Sequence, residues 1–185
     1  MQTFTHRLPG MVLIGHEFNL PLDYAKPDGE QITVFAREVV ATGKESAQLP
    51  WLVFFQGGPG NGAPRPPGGA AWLPRALQEY RVLLLDQRGT GRSTPVTTQT
   101  LLARTAEPQA QADYLKLFRA DNIVRDAERI RAELVGKAEP WSALGQSYGG
   151  FCLTHYLSFA PHGLREAIIT GGLPPLERHA DDVYR

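Results

Sequence analysis

Apolar residues fill two short segments of the chain, Trp51–Phe55 and the centre of Arg81–Asp86. A strand that is apolar on both faces is typical of a sheet covered by helices on both sides. A third buried strand begins at Trp141, and Leu164–Thr170 predicts one more. These segments predict the strands of a parallel sheet.

Helical patterns separate these strands. Leu73–Tyr80 predicts a short helix, and Ser147 to about Phe159 predicts another, which Pro161 ends. A longer helix is predicted over Gln111–Val135, because its apolar residues recur along one stripe: Ile123, Ala127, Ile130 and Leu134. Residues 94–110 give no clear signal.

The N-terminal part of the chain has a different pattern. Val12–Leu22 alternates loosely, Asp28-Gly29 indicates a turn, and Gln31–Val40 is rich in Val, Ile, Thr and Phe. Together they predict an antiparallel hairpin. The hairpin followed by alternating strands and helices predicts an α/β fold with a three-layer arrangement, in which crossover helices cover a parallel sheet.

Composition limits the classes of function. The 185 residues suit one domain, and the 19 Lys and Arg balance the 19 Asp and Glu. No basic stripe or long apolar segment indicates a nucleic-acid or membrane partner. The single cysteine, Cys152, fits a reducing compartment. We therefore expect a soluble, cytoplasmic protein.

The segment at the third strand carries a candidate nucleophile. Gly145-x-Ser147-x-Gly149 has the spacing of a nucleophile elbow, in which a serine projects from a sharp turn between a strand and a helix. The start of that helix would direct N–H groups, including that of Tyr148, at a developing negative charge. A Gly-Ser turn without any chemistry has the same spacing by chance, so the rest of the chain must decide.

A glycine-rich loop, Gln56–Gly62, follows the first apolar strand. Its glycines would allow backbone N–H groups to approach a ligand closely, as an oxyanion hole requires. Gly58-x-Gly60-x-x-Ala63 loosely matches a dinucleotide-binding loop, but that site needs a helix at once, which the following prolines forbid: Pro64, Pro66 and Pro67. A flexible surface loop is the other alternative.

A second loop, Asp86–Ser93, follows the next apolar strand and includes Asp86, Arg88 and Arg92. Asp86 at a strand end could be catalytic. A carboxylate beside arginines is a poor base at neutral pH, however, and more often holds backbone N–H groups or a guanidinium. We therefore expect Asp86 and Arg88 to form a structural loop near the site.

The two loops and the elbow, in this order, resemble the proline iminopeptidase branch of the α/β-hydrolases. The resemblance extends from about Val12 to Pro175. It implies that Ser147 is the nucleophile of an aminopeptidase, which releases an N-terminal proline or another small residue by acyl transfer. It also implies that the oxyanion hole is formed by the backbone N–H groups of Tyr148 and of Gly58 or its neighbour Gly57.

The chain departs from the family pattern at two positions. The glycine loop usually begins with His, where this chain has Gln56, and the residue after the nucleophile is often Trp, where it has Tyr148. Both departures place the chain in an outlying branch of the family. An ester or amide hydrolase of the same fold is the alternative.

The resemblance also implies that part of the enzyme follows Arg185. In this fold the acid and the histidine come after the nucleophile, on loops of later strands. We therefore expect residues 1–173 to be a partial α/β-hydrolase core, truncated before the last strands, and 174–185 to begin a cap. Such a chain would be inactive alone, and would self-associate or bind the missing C-terminal half. A truncated, non-catalytic binding paralogue is the other alternative.

Other reactive residues offer weaker candidates. His155 would lie about 12 Å along the helix from Ser147. His179 with Asp181 or Asp182 has the wrong order for the family. Cys152 is expected to be a small buried residue, and no motif indicates a metal or a cofactor.

Overall fold

A mixed sheet of seven strands organises the computed structural model, which describes residues 2–68 and 70–172. The strands are β1 Gln2–Leu8, β2 Met11–Pro21, β3 Gln31–Ala41, β4 Trp51–Phe55, β5 Arg81–Asp86, β6 Trp141–Gln146 and β7 Leu164–Thr170. Their spatial order is β1-β2-β3-β5-β4-β6-β7. The helices are α1 Leu73–Ala76, α2 Thr98–Arg104, α3 Pro108–Lys116, α4 Ala120–Leu134 and α5 Tyr148–Phe159, and a 3₁₀ turn spans Pro161–Gly163.

The predicted hairpin is confirmed, since β2 and β3 pair antiparallel. The sequence analysis missed β1, which pairs antiparallel with β2 at the edge of the sheet. Most side chains of β1 are exposed, so its sequence carries little apolar alternation. Backbone pairing with β2, which does not depend on side-chain type, holds it in place.

The parallel strands β5, β4, β6 and β7 carry the core. One face of the sheet packs against α4 and α5 through residues such as Phe55, Ala127 and Leu153. The other face packs against α1 through Phe54 and Leu73. The α/β fold with helices on both faces of the sheet is therefore confirmed, and the ends of β4, β5 and β6 meet at one edge.

The long helix predicted over Gln111–Val135 is wrong, because two helices, α3 and α4, occupy the region. The carbonyl of Leu117, between them, accepts hydrogen bonds from Arg88 Nη1 at 2.7 Å and from Asn122 Nδ2 at 3.1 Å. These bonds draw the carbonyl out of the helical pattern. The helix predicted over Leu73–Tyr80 is also shorter than expected, and α2 and the start of α3 occupy the segment that gave no clear signal.

The predicted cap segment, 174–185, lies outside the described residues, as does the set of His179, Asp181 and Asp182. The division of the chain at residue 173 stays a prediction. Among the described helices, none is both long enough and apolar enough to cross a lipid bilayer.

Candidate active site

Ser147 occupies a strained turn between β6 and α5. Its φ is 52° and its ψ is −116°. No other non-glycine residue in the described part of the chain has a positive φ. Such a conformation costs about 1–3 kcal/mol and persists only where the surroundings enforce it. The predicted elbow geometry is therefore present.

Two glycines make this turn possible by close packing. A Cβ on Gly149 would overlap the carbonyl of Phe55, and one on Gly145 would overlap the carbonyl of Gly149. A side chain at Gly149 would push the start of α5 away from the end of β4, and one at Gly145 would push it away from β6. The spacing Gly-x-Ser-x-Gly is thus a packing requirement of this turn.

The serine is held by its backbone, and its side chain is not used as a helix cap. The Ser147 N–H donates to the Thr170 carbonyl at 2.9 Å, and the Ser147 carbonyl accepts from the Phe151 N–H at 3.2 Å. Its hydroxyl makes no capping bond to α5. The half-buried hydroxyl thus lies at the N-terminus of a twelve-residue helix, where the helix dipole favours negative charge.

The glycine loop lies directly against this turn. A Cβ added to Gly57 would lie 2.7 Å from the Gln146 carbonyl oxygen and 2.9 Å from Ser147 Cβ, closer than side chains tolerate. Within residues 2–68 and 70–172, the N–H groups of Gly57 and Gly58 donate to no protein acceptor. Gly57, which has an unpaired N–H in this part of the chain, therefore lies beside the serine.

The loop after β5 supports the glycine loop. The Asp86 carboxylate accepts hydrogen bonds from the backbone N–H groups of Ala63, at 2.7 Å, and Arg92, at 2.8 Å. Gln87 Nε2 donates to the Gln56 carbonyl at 3.1 Å. Of the two kinds of partner predicted for Asp86, backbone N–H groups and a guanidinium, it thus binds backbone N–H groups.

Arg88 points away from Ser147 into the core. Its guanidinium binds the Asp126 carboxylate through two hydrogen bonds, at 2.7 and 2.6 Å, and Tyr24 donates to the same carboxylate at 2.8 Å. Burial raises the pKa of Asp126, and Arg88 opposes that rise. Burial also raises the pKa of Tyr24, as does the adjacent Asp126 carboxylate. This cluster joins the loop to α4 and does not reach the site.

The described histidines lie away from Ser147. His155 contacts the Phe151 carbonyl on α5, with its ring beside that of Phe151. His16, which sequence reasoning left unassigned, is buried and lies 2.8 Å from Glu38. Cys152 is fully buried, and burial raises the pKa of its thiol to about 12, so it stays protonated at neutral pH.

Gln87 lies within the second loop, Asp86–Ser93, and was given no role in the sequence analysis. Its side chain is 3% exposed although it is polar and lies just after a strand. A polar residue at the buried end of an apolar strand is the signal that could have identified it, since buried polar groups are almost always hydrogen-bonded.

Comparison with known proteins identifies the family to which the fold belongs. Residues 50–185 match the family described as the alpha/beta hydrolase fold. The chain is 54% identical over 179 residues to a proline iminopeptidase of Aeromonas sobria, across 96% of this chain and 41% of that protein. It is 44% identical to the proline iminopeptidase aneH of Aspergillus aculeatus, across 94% of this chain and 40% of that protein.

The chain therefore spans about two-fifths of the length of these relatives. Among solved structures, a thioesterase domain from the curacin biosynthetic pathway aligns with a TM-score of 0.53 and 22% identity, across 92% of this chain and 51% of that one. At that identity the likeness shows the fold alone.

Proposed function

The chain belongs to the α/β-hydrolase fold family, and on that basis we propose that Ser147 is the nucleophile of an aminopeptidase. The reaction is acyl transfer. The Ser147 oxygen loses its proton and attacks the carbonyl carbon of the substrate's N-terminal residue, the C–N bond breaks, and the rest of the substrate leaves as an amine that takes up that proton. Water then hydrolyses the ester that joins the residue to Ser147 and releases it. The proposal follows the two proline iminopeptidases, which match almost the whole of this chain.

One observation carries the proposal: the strained Ser147 turn packs against Gly57 of a second loop, whose N–H has no acceptor among the described residues. The carbonyl oxygen becomes negative when the serine attacks, and preorganised N–H donors stabilise that charge. Gly57 or Gly58 on one side and Tyr148 at the start of α5 on the other are the proposed donors. A turn without chemistry would not require this approach of Gly57 to Ser147.

The serine also needs a base to take its proton, because a hydroxyl at its ordinary pKa is a weak nucleophile. The family resemblance assigns that role to a histidine, oriented by an acid. The described residues place no histidine at Ser147, so the proposal assigns both groups to sequence that follows the described part of the chain. The lone buried Cys152 supports the further proposal of a cytoplasmic location.

The test uses the full gene product, meaning these 185 residues with any residues encoded after them. We expect Ser147→Ala to lower kcat for a prolyl 2-naphthylamide by about 1000-fold or more, because nucleophile and base act as a unit. Ser158→Ala, the same change on the exposed part of α5, is the matched control and should leave kcat within about twofold.

The outcomes separate the alternatives. A Ser147→Ala protein that keeps more than about a tenth of the activity would contradict the assignment. Turnover of p-nitrophenyl acetate without turnover of the prolyl substrate would favour an ester or amide hydrolase. No turnover of either, by a folded protein, would favour the non-catalytic binding paralogue.

A further inference from the structure

Two consecutive side chains hold the glycine loop at both of its ends. Gln87 binds the carbonyl of Gln56, the first residue of the loop, through a 3.1 Å hydrogen bond. Asp86 binds the N–H of Ala63, just past the other end, at 2.7 Å. Gly57, which approaches Ser147, lies between these two attachments.

The attachment points are themselves buried and fixed. Asp86 and Gln87 are 1% and 3% exposed. The Ser93 hydroxyl donates to the Asp86 carbonyl at 2.6 Å and accepts from the Phe35 N–H of β3 at 2.9 Å. The anchor is thus joined to the centre of the sheet, which is the most rigid support that the fold offers.

Within the described residues, the other support of the loop is packing: Gly57 lies against the elbow, Gly62 approaches Gly91, and Ala63 is buried. Outside this anchor, no backbone–backbone hydrogen bond connects residues 56–63 to another part of the described chain. Asp86 and Gln87 are therefore the side chains of the described residues that hold the loop backbone by hydrogen bonds.

The charge of Asp86 fits this role. One carboxylate oxygen accepts from Ala63 and the other from Arg92, so both are bound to backbone donors. Within the described residues, the Asp86 carboxylate makes no hydrogen bond to Ser147. Through its two oxygens this carboxylate joins the glycine loop, at Ala63, to the loop after β5, at Arg92.

We propose that Asp86 and Gln87 are positioning residues for the oxyanion hole. They hold residues 56–63 against the Ser147 turn and so place the N–H donors of the glycine loop. The inference rests on the proposed function for its catalytic consequence. The attachment of the loop can be measured without any substrate.

The variants are chosen to keep volume. Asp86→Asn keeps one acceptor but directs an amide N–H₂ at one of the two N–H groups. Gln87→Met removes the donor to Gln56. Thr90→Val is the matched control, because it removes a buried 2.7 Å hydrogen bond to the Gln87 carbonyl in the same loop without contacting the glycine loop.

Hydrogen exchange and kinetics of the full gene product provide the test. We expect the amide of Ala63, the hydrogen-bonded amide of the loop, to exchange about tenfold faster in Asp86→Asn and in Gln87→Met, because either change frees one end of the loop. We expect kcat to fall about 10- to 100-fold with KM within about twofold, since donor misplacement affects the transition state. The rate of acylation by a fluorophosphonate should fall in parallel with kcat. Thr90→Val should change the exchange rate, kcat and the acylation rate by no more than about twofold each.

Unchanged exchange in both variants would overturn the inference, whatever the enzyme's substrate. Faster exchange with unchanged kcat and acylation would also overturn it, since the loop would then be held for stability alone. If the wild-type protein acylates but does not cleave prolyl substrates, only the proposed substrate fails and acylation decides the inference. If the wild-type protein neither acylates nor hydrolyses, the proposed function fails, and exchange alone decides whether Asp86 and Gln87 hold the loop.

Discussion

Replacement of Gly57 by alanine tests how closely the glycine loop must approach the nucleophile. The added Cβ would lie 2.7 Å from the Gln146 carbonyl oxygen and 2.9 Å from Ser147 Cβ. Ordinary carbon contacts are about 3.5–4.0 Å. One of the two backbones must therefore shift by roughly 0.5–1 Å. Both neighbours belong to the elbow, so either shift changes the distance between the serine and the donors.

The size of the effect follows from this shift. A misplacement of about 1 Å can cost about 100-fold in rate, so we expect kcat/KM for a prolyl 2-naphthylamide to fall by 10- to 100-fold. Overpacking of this kind costs about 1–3 kcal/mol in the free energy of unfolding, so the protein should stay folded. Near-UV circular dichroism and urea unfolding of the full gene product check that point.

Gly68→Ala is the matched control. Gly68 is in the continuation of the same loop, and a Cβ there meets no atom within 4 Å. We expect its kcat/KM to stay within about twofold of wild type. If Gly57→Ala keeps wild-type kcat/KM, or if Gly68→Ala loses as much, the glycine loop does not form a wall of the site. Gly58→Val would be harder to interpret, because Gly58 has a φ of +106° that valine cannot adopt without strain.

Two further predictions concern stability, measured by urea unfolding. Asp126→Asn leaves Arg88 buried without its countercharge and should cost about 3–5 kcal/mol in the free energy of unfolding. Asp121→Asn on the same helix is the control: Asp121 pairs with Arg125 at the surface, at 3.6 Å, so its loss should cost less than about 1 kcal/mol. Equal losses would contradict the importance of the buried pair. Burial opposes ionisation of Glu38, but hydrogen bonds from His16 and Arg81 outweigh it and lower the pKa of Glu38 below its ordinary 4.5. The contribution of Glu38 to the free energy of unfolding is therefore complete above about pH 4.5 and is lost as the pH falls below that value. Glu38→Gln should flatten the dependence of that free energy on pH between about 5 and 3. An unchanged slope would show that Glu38 does not contribute.

Local sequence determined the elements whose cause is local. The strands β4 and β5 were predicted because both faces of each are covered, which requires apolar residues at almost every position. The elbow was predicted because its close packing tolerates only glycine at 145 and 149. In both cases a short segment carries the whole physical requirement, so the pattern is visible without the rest of the chain.

The tertiary structure decided the features that depend on distant partners. The break between α3 and α4 arises because Arg88, 29 positions earlier in the chain, binds the Leu117 carbonyl. The strand β1 forms because β2 offers a free edge for backbone pairing, and buried His16 finds its partner, Glu38, on the neighbouring strand β3. Asp86 and Gln87 meet the glycine loop only because β4 and β5 run parallel side by side and end together. Hydrogen bonds of this kind join residues far apart in sequence, and the amino-acid order alone does not say which groups will meet.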